Sequence, residues 1–561
     1  MKIPLKILIL SLIVCIVPLQ LLAQYQYNDF KSMSQKISAL GKEYPSLCSV
    51  KSLAKTSGGK DIWVLTIGAG DKDNKPGIAV VGGVEGNHLL GKEIASGFAE
   101  SLLKESGSPE ISELLNKVTF YVFPDLSPDA TDQFFAKLKY ERVINNRPTD
   151  DDRDFLVDED PYEDLNNDGF ITLIRIADPS GTFIESTEDK RVMVVADLSK
   201  GQIGAYKVFS EGIDNDKDGS FNEDGPGGVN FNRNLTYNYE EFGLNSGLHP
   251  VSEPETKALL DFLFDHFNIY TTIAFGPQDN LGQPMKASER QTGVQNMAQG
   301  ERSGSGPGQQ NRGQRQNRKI TSILASDEVI NKLVSDKYHE ITGIKGAPGA
   351  KTTPGNFMEW AYFHYGRYSF STPAWWVPVE KDKNSEVEFL KYAGENKLND
   401  VFIPWTEIKH PDFPDKKVEV GGIKPFVMIN PPADKLGELI TKNYKFITSI
   451  AAMHPELEFL DMKVENAGEN VFRITLKIHN KGIFATCAEI GDINMWTRLM
   501  RISLETATGQ SFLSGKKVQT IPRLEGDESV EFSWLIMGKG ALKITAGAIN
   551  TGIVTTNADL K

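Results

Sequence analysis

Cysteine is scarce: there are three in 561 residues, and Cys15 falls in the leading segment, which leaves Cys48 and Cys487. Two thiols so far apart in sequence exclude a disulfide framework as what holds the fold together. Long apolar runs are missing as well. Beyond the first 23 residues nothing approaches the roughly 20 continuous apolar residues that a spanning helix needs. Positive charge is in deficit: the formal balance is −14, which argues against nucleic acid as a partner. Many of the acids are concentrated, ten within 150–168 and six within 211–224. Such clustering suggests bound cations more than an evenly acidic surface.

What is present begins at Met1–Ala23. Lys2 and Lys6, an apolar run from Ile7 to Leu22, and Ala23 as a cleavage point read as a secretory signal peptide. The run is short for a membrane anchor and carries Pro18, and Val14 ahead of Cys15 argues against a lipoprotein site. The expectation is an exported protein, periplasmic or extracellular, with no integral membrane segment after cleavage. The length suggests two or three domains.

Residues from about 28 to 270 alternate helical and strand patterns. Phe30 to Tyr44 is amphipathic, Lys60 to Ile67 alternates and runs apolar, Leu90 to Lys104 has helical spacing, and Val118 to Phe123 reads as a buried strand. This alternation predicts an α/β domain over 24–450, a sheet with helices on both faces. Within it, residues 287–318 are dominated by Gln, Gly, Arg, Asn and Ser. They are expected to form a disordered loop, because they bury too little to offset their ordering entropy. From Leu457 the character changes. Val471 to Ile478 and Ser529 to Ile536 alternate with period two, with turn residues at Asn480-Lys481-Gly482 and Glu525-Gly526-Asp527. The expectation for 455–561 is a β-sandwich of immunoglobulin-like type.

The run Gly77–Val81 reads as a buried strand and leads into Gly82-Gly83-Val84-Glu85-Gly86-Asn87-His88. Sites in open α/β sheets form past the carboxyl ends of strands. This segment resembles the zinc carboxypeptidases of the carboxypeptidase A type, whose strand ends in Gly-x-His-Gly-x-Glu, but with the acid and the imidazole exchanged: Glu85 stands where the His belongs and His88 where the Glu belongs. Further stretches extend the likeness. Tyr121 to Ala130 looks like the family's strand followed by Asn-Pro-Asp-Gly, and Val229 to Asn234 is similar to its Asp-x-Asn-Arg-Asn segment. Ser252 to Thr256 matches its Ser-Glu-Pro-Glu-Thr helix start, where Ser252 can cap the helix, Pro254 suits the first turn and Glu255 completes a capping box. The resemblance implies a carboxypeptidase-like mixed sheet with helices on both faces.

It also implies zinc as cofactor, with Glu85 and His88 as a degenerate ligand pair. The family's third ligand is a His on a later strand; Ala274 occupies that place. The family's general base is a Glu after a Ser-Thr pair; Pro373 occupies that place. A hydrolytic zinc needs about three protein ligands and one position for water, and loss of a general base costs on the order of 10²–10⁴-fold in rate. The expectation is therefore a catalytically impaired family member, a pseudoenzyme. The alternative is an active metallocarboxypeptidase that removes C-terminal residues using the exchanged pair, and a third reading is a structural partner with a vestigial pocket. For the pair itself, metal binding stands against a hydrogen bond between Glu85 and His88. The resemblance implies that Asn232 and Arg233 grip a peptide's terminal carboxylate, and that Arg142, with Arg147 as a rival, polarises a carbonyl. Arginine's planar fork suits a carboxylate; the competing reading pairs Arg233 with an acid from nearby loops. The implied partner is a peptide or a cell-wall peptide.

The acid-rich insertion 150–228 has its own pattern. Asp214, Asp216 and Asp218 alternate ahead of Gly219, with Glu223 and Asp224 close behind; Asp164, Asn166 and Asp168 repeat the spacing, and Asp150, Asp152 and Asp154 form a version without glycine. Alternate oxygens converge on one centre, as a hard cation requires. Arg175 and Gly225 stand where a complete EF-hand would place its bidentate glutamate. The expectation is calcium that braces the loop leading into Asn232-Arg233; the alternative is a solvated acidic loop.

Overall fold

In the computed structural model, which describes residues 26–150, 157, 160–215, 217, 219, 221–222, 225, 227–288, 319–348 and 352–561, the apolar run Gly77–Val81 is a strand buried at every position. It lies inside a six-stranded sheet whose spatial order is Cys48–Lys55, Asp61–Ile67, Thr119–Phe123, Gly77–Val81, Ile269–Phe275 and Tyr368–Thr372. The last four strands in this order run parallel to one another, while Asp61–Ile67 pairs antiparallel with both Cys48–Lys55 and Thr119–Phe123. The sheet is therefore mixed. Its parallel strands end together at Val81, Phe123, Phe275 and Thr372, which sets the residues that follow them side by side.

Helices cover both faces, as the alternation of strand side chains shows. Phe120 packs on Phe98 of the helix Leu89–Lys104, while its neighbour Tyr121 packs on Phe262 of the helix Pro254–Asp265. Successive strand residues face opposite sides, so these helices lie on opposite faces. The helix Leu89–Lys104 is buried along most of its length beneath Leu436–Ala451; a Cβ at Gly97 would come within 2.6 Å of Ile440.

The helix Pro254–Asp265 starts with Pro254 in its first turn as expected, but the expected capping box does not form. The cap position is Glu253, without a side-chain cap. The Ser252 hydroxyl donates to Glu253 Oε1 at 2.7 Å, and Glu255 accepts instead from Asn145. A tertiary amide has outcompeted the local bond.

The insertion is more structured than a set of acidic loops. Leu173–Ala177, Phe183–Glu185, Met193–Val195 and Tyr206–Ser210 join Phe402–Ile408 and Val418–Ile423 in a second, antiparallel six-stranded sheet. Of the stretch 287–318, Ala287 and Ser288 are fixed by Glu328 and Ser322. The remaining 289–318 lie outside the described residues, as do residues 1–23, where a signal peptide was expected. No helix among the described residues is long and apolar enough to cross a membrane.

The C-terminal region forms two four-stranded antiparallel sheets: Leu457–Gly468, Val471–Asn480, Glu528–Met537 and Ser511–Ser514 in one, Val518–Thr520, Arg501–Glu505, Gly540–Ala548 and Gly552–Leu560 in the other. Period two decides their inner faces: Phe472, Ile474, Leu476 and Ile478 share a core with Ile502, Leu504 and Ile544. This region docks on the α/β domain through Phe484, whose ring meets Tyr270 and Tyr368. Asp327, on the helix Ala325–Thr342, adds to the joint by accepting the backbone N–H of Glu489 at 2.8 Å and of Ile490 at 3.2 Å.

Candidate functional site

The turn after Gly77–Val81 is possible because its first two residues lack side chains. Gly83 has φ +63°, and a Cβ there would lie 2.3 Å from Asp125 Oδ1; one at Gly82 would lie 2.5 Å from the carbonyls of Gly91 and Pro124. The turn delivers Glu85 and His88 to the carboxyl end of the sheet.

The two side chains do not hydrogen-bond each other, contrary to one expectation. Glu85 accepts from Asn230 Nδ2 at 2.6 Å and from Asn232 Nδ2 at 2.8 Å, one amide to each oxygen. Burial pushes its carboxyl up, opposed by the two amides and by the charge of Arg233. His88 is 3% exposed, and neither ring nitrogen has a hydrogen-bond partner. The Pro373 backbone approaches the ring without hydrogen-bonding geometry. Burial pushes the imidazole down to about 4, so it is neutral at physiological pH.

Ala274 lies where the third ligand was expected, its Cα in register with Val81 on one side and Ser371 on the other. It is buried and offers only a methyl group. Pro373 follows directly on the strand Tyr368–Thr372 and supplies no proton acceptor. The remaining nearby histidines are already engaged. His266 Nδ1 pairs with the Phe262 carbonyl at 2.7 Å, and His339 meets the carbonyls of Ile344 and Gly282 at 2.7 and 3.1 Å. Among the described residues no group of three or more His, Cys, Asp or Glu could hold a metal ion. The donor set at this corner, one carboxylate and one imidazole, does not fit a three-ligand zinc centre.

The residues expected to meet a carboxylate divide. Asn232 is fully used: its Nδ2 also donates to Gln278 Oε1 at 2.7 Å, and its Oδ1 accepts from Phe357 N at 2.9 Å. Arg233 keeps most of its donors. The one hydrogen bond of its guanidinium among the described residues is a long one, 3.3 Å to the Leu244 carbonyl, and no acid there takes it. Arg142 gives Nη2 to the Asn145 carbonyl at 2.8 Å and leaves its buried Nε without a partner. A cavity of about 280 Å³ brings Arg142 together with Leu244, Tyr140 and Tyr162. Arg147, the rival, is held by Glu253 at 2.6 Å. Asp129 is structural, accepting from Thr56 Oγ1 at 2.8 Å and Gly58 N at 3.0 Å.

Gln278 and Asn145 went unnoticed in the sequence, and Asn230 and Glu253 were given no role there. Asn230 stood within a matched segment, but only the fold shows that it faces Glu85.

The calcium expectation gains no support. Asp164 accepts from Asp168 N and Gly169 N at 3.1 and 2.8 Å, Asn166 Oδ1 accepts from Asp168 N at 3.0 Å, and Asp168 Oδ1 accepts from Phe170 N at 2.9 Å. The loop's own amides thus engage these oxygens. Near Asp214, the Lys217 ammonium reaches the Asp214 carbonyl at 2.6 Å and Asp412 at 2.7 Å, a cation supplied by the chain. Asp150 is described but joins no metal-binding group; Asp152, Asp154, Asp216, Asp218 and Glu223 lie outside the described residues.

Residues 33–163 match the family model described as zinc carboxypeptidase, and residues 456–559 match one described as a domain of unknown function. Carboxypeptidase D of Drosophila melanogaster is 29% identical over 110 residues, 19% of this chain and 8% of that protein. Carboxypeptidase D of Homo sapiens is 29% identical over 142 residues, 24% of this chain and 10% of that protein. The chain thus spans a tenth or less of these relatives' length. The crystal structure of thrombin activatable fibrinolysis inhibitor is similar at 12% identity and TM-score 0.40, covering 76% of this chain and 74% of that one. The family match contains Glu85, His88 and Arg142; Asn232, Arg233, Ala274 and Pro373 lie beyond it.

Proposed function

We propose that this chain, whose residues 33–163 match the zinc carboxypeptidase family model, is an exported, catalytically impaired member of that family that binds the C-termini of peptides or of cell-wall peptides. The observation that carries this reading is Ala274, a methyl group in register between Val81 and Ser371 where a metal ligand is needed. Pro373 in place of a proton acceptor supports it, and so does the commitment of both Glu85 oxygens to asparagine amides. Ligand capture is supported by Arg233, with donors to spare, and by Arg142, which lines the neighbouring cavity. Export rests on the signal-like Met1–Ala23. The two-sheet tail is an immunoglobulin-like module in this reading.

One observation favours the active alternative: the two unpartnered ring nitrogens of His88, which a metal shared with Glu85 would satisfy. Metal analysis of the purified protein separates the readings. Impairment predicts no stoichiometric zinc and peptide binding that is lost in Arg233→Ala. Stoichiometric zinc that disappears in Glu85→Ala, together with peptide hydrolysis, supports the alternative and overturns the proposal.

A further inference from the structure

Asn145 touches both arms of the proposed carboxylate site. Its carbonyl accepts Arg142 Nη2 at 2.8 Å, and its backbone N–H donates to the carbonyl of Val229, four residues before Arg233, at 2.8 Å. Its Oδ1 accepts from Arg147 N at 3.2 Å and Val229 N at 3.3 Å. Its Nδ2 is shared by two buried carboxylates, Glu253 Oε2 and Glu255 Oε1, each at 2.8 Å.

Two acids on one amide are a strained arrangement when both are ionised, because like charges at close range disfavour the second ionisation. The pair is not symmetric. Arg147 neutralises Glu253 at 2.6 Å. Among the described residues Glu255 has no cation, and its Oε2 is buried without a partner. Asp129 faces it from the helix Pro128–Thr131 and adds a further negative charge, itself balanced by Lys60 at 3.6 Å. Burial, with Glu253 and Asp129 adding to it, pushes Glu255 up to about 7.

We propose that Asn145 and the Glu253/Glu255 pair are positioning residues for Arg142 and Arg233, and that a proton on Glu255 strengthens capture of a carboxylate-ended ligand. This rests on the peptide-binding reading above. The ligand brings one more negative charge to a poorly solvated cluster that already holds Glu253, Glu255 and Asp129. Removing the charge of Glu255 relieves that repulsion, and by linkage ligand binding draws a proton onto Glu255. Affinity for the free carboxylate therefore falls as pH rises through neutrality.

The test is equilibrium dialysis of the full chain against a mixture of N-acetylated tripeptides with free C-termini, with their C-terminal amides as controls, at pH 6, 7 and 8. Retention of the free acids is expected to weaken about fivefold from pH 6 to pH 8, within the tenfold limit that a ligand-linked shift of one pKa unit sets. The slope is expected to vanish in Glu255→Gln. A second variant, Arg147→Gln, removes the counter-charge of Glu253 and should move the midpoint to higher pH. Retention with the same slope in wild type and Glu255→Gln, or affinity that rises with pH, overturns the inference alone. Lack of retention at every pH overturns the peptide-binding reading and the inference with it.

Discussion

At one end of the site, past the strands Gly77–Val81 and Ile269–Phe275, Glu85 is committed to two amides, Ala274 offers only a methyl group and His88 is buried without a partner; at the other end, around Arg142 and Arg233, guanidinium donors stay open. The contrast follows from what each position can tolerate. Ala274 sits inside a fully buried strand, where a methyl group packs as well as an imidazole and needs no partner. Glu85 could be rehoused because two amides lie within 2.8 Å of it. His88 found no such partner, and a buried unsatisfied polar group costs about 1–3 kcal/mol. This corner thus combines one satisfied polar side chain with one unsatisfied one, while the corner around Arg142 is wired by Asn145 into the helix start at Glu253 and Glu255.

Rebuilding the missing ligand is the strongest way to break this contrast. The triple variant Glu85→His, His88→Glu, Ala274→His returns the ligand types and number that zinc requires. It should gain at least about 10³-fold in zinc affinity over wild type, measured by competition with a chromophoric chelator. An unchanged affinity would show that more than the ligands has been lost.

Next in size are two opposing pH effects on stability, one from each corner. The folded-state value of His88 is lowered from 6.5 to about 4, so its contribution is present above 6.5 and is lost as pH falls towards 4. That loss is about 3 kcal/mol and should disappear in His88→Leu. Glu255 is raised from 4.5 to about 7, so its contribution is present below 4.5 and is lost as pH rises through 7. That loss is again about 3 kcal/mol and should disappear in Glu255→Gln. Urea denaturation at pH 4, 6 and 8 measures both; parallel curves for wild type and variant would remove the residue concerned from the account.

The smallest effect sharpens the corner around Arg142 and Arg233. Arg233→Ala should weaken binding of free-acid peptides about tenfold or more, as loss of a charge-assisted pair implies, while leaving stability nearly unchanged because the one guanidinium bond among the described residues, to Leu244, is long. Equal binding of free-acid and amide peptides by the wild type would show that Arg233 does not read the carboxylate.

Local pattern made much of the main sheet legible. Gly77–Val81 is found with its predicted ends, and the helix Phe30–Glu43 differs from expectation by one residue. The second sheet was not legible, because Leu173–Ala177 is five residues long and pairs with Val418–Ile423 more than two hundred residues away. At the site, the turn and the exchange of Glu85 and His88 could be seen in the sequence. The clamp on Glu85 by Asn230 and Asn232 could not, since it joins segments 145 and 147 residues apart. Ser252 misled for a related reason: its hydroxyl oxygen accepts from Asn234 Nδ2 and its proton goes to Glu253, so it does not receive the helix N–H groups it was expected to cap.

Zinc content and peptide trimming, measured on one purified sample with and without a chelator, test the central claim most directly. The account predicts less than stoichiometric zinc and no chelator-sensitive release of C-terminal residues. One zinc per chain, with release of C-terminal residues that the chelator abolishes, would contradict it.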